Sequence, residues 1–223
     1  MAMLLPVKYL QVVVMWRWFF MVFTLFFTSA QSAELQGVGV FSTLEKPWFL
    51  TGLYTDKEQQ PQRLEFRIVE EKIAPYRFRQ LWLQAFAVAH ENDVWQQHQQ
   101  DLEQFFSVLH GPLQTNDQML VEQQDGSTVV SINYREHARL SEEFLPLLVQ
   151  TLTARITLVP ELREGLTGQQ PAAEQRDLLR DYDRAQPSLG RIAETARWLR
   201  QRQQAASAAS SASSSYSGSV GQL

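Results

Sequence analysis

Hydrophobic and polar positions follow two different rhythms along the body of the chain. Between residues 35 and 68 the apolar positions alternate or form short runs. Gly37-Val38-Gly39-Val40-Phe41 alternates glycine with β-branched valine, which predicts a strand with something packed close to its backbone. Lys46-Pro47 marks a turn, and Trp48 to Tyr54 reads as a second, strongly apolar strand. After a polar stretch from Thr55 to Pro61, Leu64, Phe66 and Ile68 alternate with Arg63, Glu65 and Arg67, as in a half-buried strand. Three strands in quick succession predict an antiparallel meander rather than βαβ units.

The rhythm then changes to steps of three and four. Pro75 opens a helix whose stripe is Phe78, Leu81, Trp82, Ala85, Phe86 and Ala89. Asn92-Asp93 reads as a break with a new cap. A second helix carries Trp95, Leu102, Phe105, Phe106 and Leu109, and His110-Gly111-Pro112 ends it. Gln124-Asp125-Gly126 separates the apolar runs Met119 to Gln123 and Ser127 to Tyr134. Asp-Gly suits the left-handed conformations of a two-residue hairpin turn. Ser141 is predicted to cap a helix through Phe144, Leu147, Leu148 and Leu152, and Pro160 to open a short helix stopped by Gly168.

The two ends differ from this body. In residues 1–33 the only charges are Lys8 and Arg17. An apolar run from Trp18 to Phe27 precedes the small residues Thr28 to Ala33. About ten apolar residues followed by small ones is the signature of a cleaved export signal. Reading the segment as an anchor would place Arg17 in hydrocarbon, at a cost. Export, to the periplasm, is the expectation, with membrane anchoring if the signal is kept. Beyond Gln169 the predicted helices, Asp177 to Arg184 and Leu189 to Gln203, carry few bulky apolar residues. In the second, Ile192, Ala196 and Leu199 form a thin stripe beside Arg191, Arg197, Arg200 and Arg202. It is read either as a solvated helix lying on the domain or as one that meets a membrane surface or a partner protein. The Ala-, Ser- and Gly-rich run from Ala205 to Leu223 is expected to be a flexible tail.

Composition removes several function classes. The 223 residues contain no cysteine, which excludes disulfides, thiolate metal sites, a cysteine nucleophile and a lipidated-cysteine anchor. The formal charge is −4, and without Lys8 and Arg17 the remainder carries 18 basic against 24 acidic residues. Such a balance offers no basic surface for nucleic acid. No histidine pair has zinc-site spacing, there is no G-x-S-x-G, and Gly37 and Gly39 lack the third glycine and following helix of a phosphate loop.

The order of parts resembles the chalcone isomerase-like family. Leu35 to Tyr54 (L-Q-G-V-G-V-F-S-T-L-E-K-P-W-F-L-T-G-L-Y) is similar to that family's opening hairpin, where a G-x-G-x-R strand is followed by one ending G-x-L-Y. The polar hairpin, the S-I-N-Y run, the helix with Phe144 and Leu148, and the closing Pro160 to Gly168 continue the likeness. The resemblance implies an α+β open-faced sandwich, a large antiparallel sheet covered by a helix layer, with a ligand cleft between them. The resemblance runs from about Leu35 to Gly168; with the two ends read above, the expected division is a signal at 1–33, a chalcone isomerase-like domain at 34–168, a helical extension at 169–204 and a tail at 205–223.

The family's plant enzymes use the arginine of G-x-G-x-R to hold and polarise an oxygen on which charge develops. Phe41 occupies that position here and can supply neither charge nor hydrogen bond. The leading expectation is therefore a non-catalytic member that binds a small hydrophobic ligand, a fatty acid or haem. One alternative is a structural or interaction protein whose cleft is filled by its own side chains and which acts through its Arg-rich C-terminal helix. The other is an isomerase, an intramolecular lyase that recruits Arg63 or Arg67. The residues set against the cleft are Phe41, Trp48 and Tyr54 from the strands and Trp82, Trp95, His98, Phe105 and Phe106 from the helices. His98 is three residues after Trp95 and four before Leu102, so on one continuous helix it points along the apolar stripe. There it could ligate haem iron, be a hydrogen-bonded core histidine, or sit at the stripe's edge in solvent.

Overall fold

The computed structural model describes residues 33–201 and 204. Apart from Ala33, the expected signal lies outside the described residues, as does the expected tail.

Strands β1 (Glu34–Thr43) and β2 (Lys46–Thr55) form a hairpin. Its turn is Leu44-Glu45, with φ of 51° and 62°. Two consecutive left-handed residues match the right-handed twist of the flanking strands. Lys46-Pro47 therefore opens β2 instead of making the turn, and Leu44 is left fully exposed at the tip. In the loop before β3 (Pro61–Ile68), Asp56 Oδ1 accepts the backbone N–H groups of Glu58 and Gln60, at 2.9 and 2.8 Å. The short strands β4 (Lys72–Ile73) and β5 (Leu113–Gln114) pair with each other. They tie together the base of a helical insertion made of α1 (Pro75–Ala89), α2 (Asn92–Gln97) and α3 (Gln99–Phe106). Strands β6 (Gln118–Gln124), β7 (Ser127–Ile132) and β8 (Arg135–Leu140) complete the sheet. Its order is β1-β2-β3-β6-β7-β8, every neighbour antiparallel. Four helices follow: α4 (Phe144–Thr153), α5 (Pro160–Leu166), α6 (Ala172–Arg184) and α7 over residues 189–201.

The period-two pattern sorts the sheet's faces. Phe41 pairs with Phe49, Thr51 with Phe66, Leu64 with Val121 and Met119 with Ile132. These residues form the inner face, and α1, α3 and α4 bury it with Phe78, Trp82, Phe105 and Phe144. At about 1.5–3 kcal/mol for each large apolar side chain fully buried, this layer is the main stabilising contact of the fold. Helix α5 lies on β1 at closer range than side chains permit. A Cβ on Gly37 would sit 2.2 Å from Gly165 O, and one on Gly165 would sit 2.6 Å from Gly39 Cα. The alternating glycines of β1 are the seat of α5.

On the reverse face α6 covers part of β1 and β2. Tyr182 packs with Val38 and Leu50, and its hydroxyl stands 2.6 Å from where a Cβ on Gly52 would be. Beneath α6 the polar side of β3 is buried. Arg67 pairs with Glu65 and donates from Nη1 to Ala185 O at 2.8 Å, while Gln118 donates to Glu65 at 2.5 Å. Helix α7 docks through Arg191, Thr195 and Trp198, which are buried, with Ile192, Ala196 and Leu199 half-buried beside them. The expected stripe is thus the shoulder of the docked face. All described residues belong to one compact unit that starts at Ala33, so α6 and α7 are packed parts of the domain.

Three further expected features are corrected, and one strand was not expected. The second helix is two, parted at His98, and ends at Phe106. The run read as a strand to Tyr134 stops at Ile132, because Asn133 and Tyr134, with φ of 47° and 68°, form a second hairpin turn. The next strand, β8, has no clear alternation in its sequence, Arg-Glu-His-Ala-Arg-Leu, to mark it. Ser141 does not cap α4; its hydroxyl donates to Asp101 of α3, and its amide reaches the same carboxylate at 3.2 Å.

Candidate functional site

The space between sheet and helices is filled by rings. Phe41 is 1% exposed and packs 5.5 Å from Phe49 and 6.3 Å from Trp82, centroid to centroid. Trp82 meets Phe66 and Phe105 edge-on, at 5.5 and 5.4 Å, and Phe105 continues to Phe144 at 5.3 Å. The position that carries the key arginine in the enzymes of the resembled family is here a packing ring. Trp82 Nε1 and Thr51 Oγ1 are buried in this layer with no hydrogen-bond partner among the described residues.

The other cations considered for the cleft face away from it. Arg63 and Arg67 lie on the reverse side of β3, Arg63 stacked 3.8 Å over the ring of Tyr54 and Arg67 bound to Glu65 and Ala185. Tyr54 is on this reverse side too, with its hydroxyl 3.4 Å from that of Tyr182. Burial first, and then the nearby Glu65 carboxylate, push Tyr182 far above the ordinary phenol range, so it stays a neutral phenol. Trp48 is buried and donates from Nε1 to Thr43 Oγ1 at 2.8 Å, with Lys46 and Arg77 over its ring at 4.8 and 4.9 Å.

A concave site lies on the helix layer instead. A groove of about 300 Å³ is walled by Leu83, Phe86 and Ala87 of α1, His90 and Glu91 of the following turn, Val94 and Trp95 of α2, and Leu102 of α3. The volume is at the small end for ligand pockets, and the mostly apolar lining with few polar groups is their usual chemistry. Trp95 is braced by Phe106, stacked at 6.3 Å. His90 Nε2 is 2.8 Å from Thr151 Oγ1 of α4, and its ring lies 5.7 Å from Phe86. Burial, with a smaller effect from His98, lowers the His90 pKa, which favours neutral imidazole at pH 7.

His98 is placed elsewhere. The break between α2 and α3 turns it into a polar hollow of about 400 Å³, lined also by Asp101, Gln104, Arg139, Ser141 and Glu143. Ser141 donates directly to Asp101 with no imidazole between them, so the pair clamps α3 to the loop before α4 and is not a nucleophile with its base. Neither histidine suits a haem: His98 has polar neighbours, and the Nε2 of His90, the imidazole on the apolar groove, is held by Thr151. Of the eight residues expected at one cleft, Phe41, Trp48, Trp82, Phe105 and Phe106 belong to one core cluster, Trp95 packs against it and walls the groove, and Tyr54 and His98 stand apart. Sequence spacing gives no sign of the His90 site, because its partner Thr151 lies sixty-one positions away.

No family model matches the sequence, and a search of curated proteins finds no relative. Among solved structures the chain is similar to a fatty-acid binding protein of Arabidopsis thaliana, with a TM-score of 0.50 and 14% identity, over 63% of this chain and 89% of that one. At that identity the likeness is one of architecture: this is the chalcone isomerase-like fold, an α+β sandwich with a large antiparallel sheet.

Proposed function

We propose that this protein is an exported, non-catalytic binder of small hydrophobic ligands, and that it takes a hydrocarbon chain in the groove beside Trp95. The observation that carries the reading is the groove itself, an apolar hollow with two polar residues on its wall. Two further points support it. The sheet–helix interface is packed with its own rings, and the Phe41 position has no cation for isomerase chemistry. A protein of the same fold is a fatty-acid binding protein. Export rests on the pattern of residues 1–33.

The test is a fluorescence titration of the purified protein with N-phenyl-1-naphthylamine. Ala87 is exposed on the groove wall, so Ala87→Trp should fill the hollow without disturbing the core. Binding that is lost in this variant supports the site; unchanged binding in Ala87→Trp moves the ligand elsewhere.

A second reading, contact with a membrane surface or partner through α7, keeps one supporting observation. Arg197 and Arg200 face solvent and Leu189 is 86% exposed, although Arg191 is engaged inside. Vesicle co-sedimentation that is abolished by Arg197→Glu/Arg200→Glu would favour it.

A further inference from the structure

The groove's polar group is an acceptor, and the reason is a single hydroxyl proton. Thr151 Oγ1 stands 2.8 Å from Leu147 O and 2.8 Å from His90 Nε2. A backbone carbonyl can only accept, so the one proton of the threonine hydroxyl goes to Leu147 O. Toward His90 the same oxygen must then accept, which places the imidazole proton on Nε2. Nδ1 is left with its lone pair, since neutral imidazole has one donor and one acceptor nitrogen. Among the described residues nothing bonds Nδ1, and it is not sealed from solvent. The other charged or polar wall residue is Glu91, and among the described residues no lysine or arginine lines the groove.

We propose that the groove selects an uncharged amphiphile bearing a hydroxyl, a long-chain or aryl alcohol, over the corresponding carboxylate, with His90 Nδ1 accepting the ligand's O–H. This rests on the groove being the ligand site. A carboxylate there would meet a lone pair and a second carboxylate, with no cation to compensate either. An alcohol would give its proton to His90 and place its chain against Phe86, Trp95 and Leu102. Thr151 acts as a positioning residue: it fixes the tautomer and touches no ligand.

The experiment compares dodecan-1-ol with dodecanoate at pH 7.5, each displacing N-phenyl-1-naphthylamine from the full-length protein. The wild type should bind the alcohol on the order of tenfold more tightly, the size of one net hydrogen bond. His90→Phe keeps an aromatic wall and should erase the preference. Glu91→Gln, at an exposed position, should raise dodecanoate affinity and serves if His90→Phe does not fold. Imidazole 15N–1H correlations should place the His90 proton on Nε2 in the ligand-free protein. Equal or tighter binding of dodecanoate, or a proton on Nδ1, overturns the head-group inference and leaves the binding site standing. Failure of the naphthylamine and both chains to bind overturns the site reading.

Discussion

The guanidinium of Arg191 meets the carboxylate of Asp117 through two hydrogen bonds, 3.1 Å from Nε and 2.6 Å from Nη2. Asp117 is fully buried and also accepts the amide of Gln114 and the side-chain N–H of Asn133, at 2.8 and 2.9 Å. One carboxylate thus joins the loop before β6, the β7–β8 turn and α7. Asp117→Ala should cost about 3–5 kcal/mol, because it removes the buried partner of Arg191 and leaves its guanidinium only the half-exposed Glu194 carboxylate and Pro112 O. Urea denaturation measures this, and Asp117→Ala/Arg191→Met should recover part of the loss. A cost no larger than that of a surface substitution would show that the pair does not hold α7.

The backbone seam between β1 and α5 gives a second expectation. Gly165→Ala would drive a methyl into Gly39 Cα and Val38 O, both at 2.6 Å. Alanine is the better helix former by about 1 kcal/mol, yet backbone cannot give way as a side-chain end can. A net loss of about 1–3 kcal/mol is expected from thermal or urea melts, whereas an alanine at Gly126, which has open space around it, should be opposed only by its φ of 71°.

Acid should weaken the fold through His90. Its folded pKa lies below the ordinary 6.5, chiefly through burial. Between the folded value and about 6.5 the unfolded chain therefore binds more protons. The stabilising contribution is complete above that range and is lost as pH falls through it. In urea midpoints measured from pH 7.5 to pH 5, His90→Gln should flatten the acid-side decline; an unchanged slope would refute the assignment to His90.

Restoring an arginine at Phe41 should not restore an enzyme. The side chain would enter a ring-lined layer that offers no carboxylate, and an uncompensated buried charge costs of order 3–5 kcal/mol. Phe41→Arg is expected to lose folded yield and cooperative melting, and to turn over no chalcone. A stable variant with turnover would mean that the layer opens readily.

Much of the sheet was legible because alternation at Leu64, Phe66 and Ile68 and the Asp125-Gly126 turn report local physics. What stayed hidden was polar residues doing structural work out of local view. Asn133 and Tyr134 continue the alternation of β7 in composition, yet both adopt left-handed backbone, with Asn133 wedged between Asp117 and Gln118. The buried face of α7 reads as arginine, threonine and tryptophan, so an apolar-stripe search turns the helix by one position. The groove was illegible for a related reason: the stripe from Trp95 to Leu109 is continuous on paper, and only the fold shows the break at His98 that parts the apolar hollow from the polar one.

Phe86 walls the groove and also lies 6.2 Å from Trp82 at the centre of the ring cluster. A guest pressing on that phenyl would be felt by a chromophore it never touches, while Trp95 meets it directly. Intrinsic ultraviolet emission can therefore report occupancy without a dye, through one wetted indole and one dry one whose colours should shift independently.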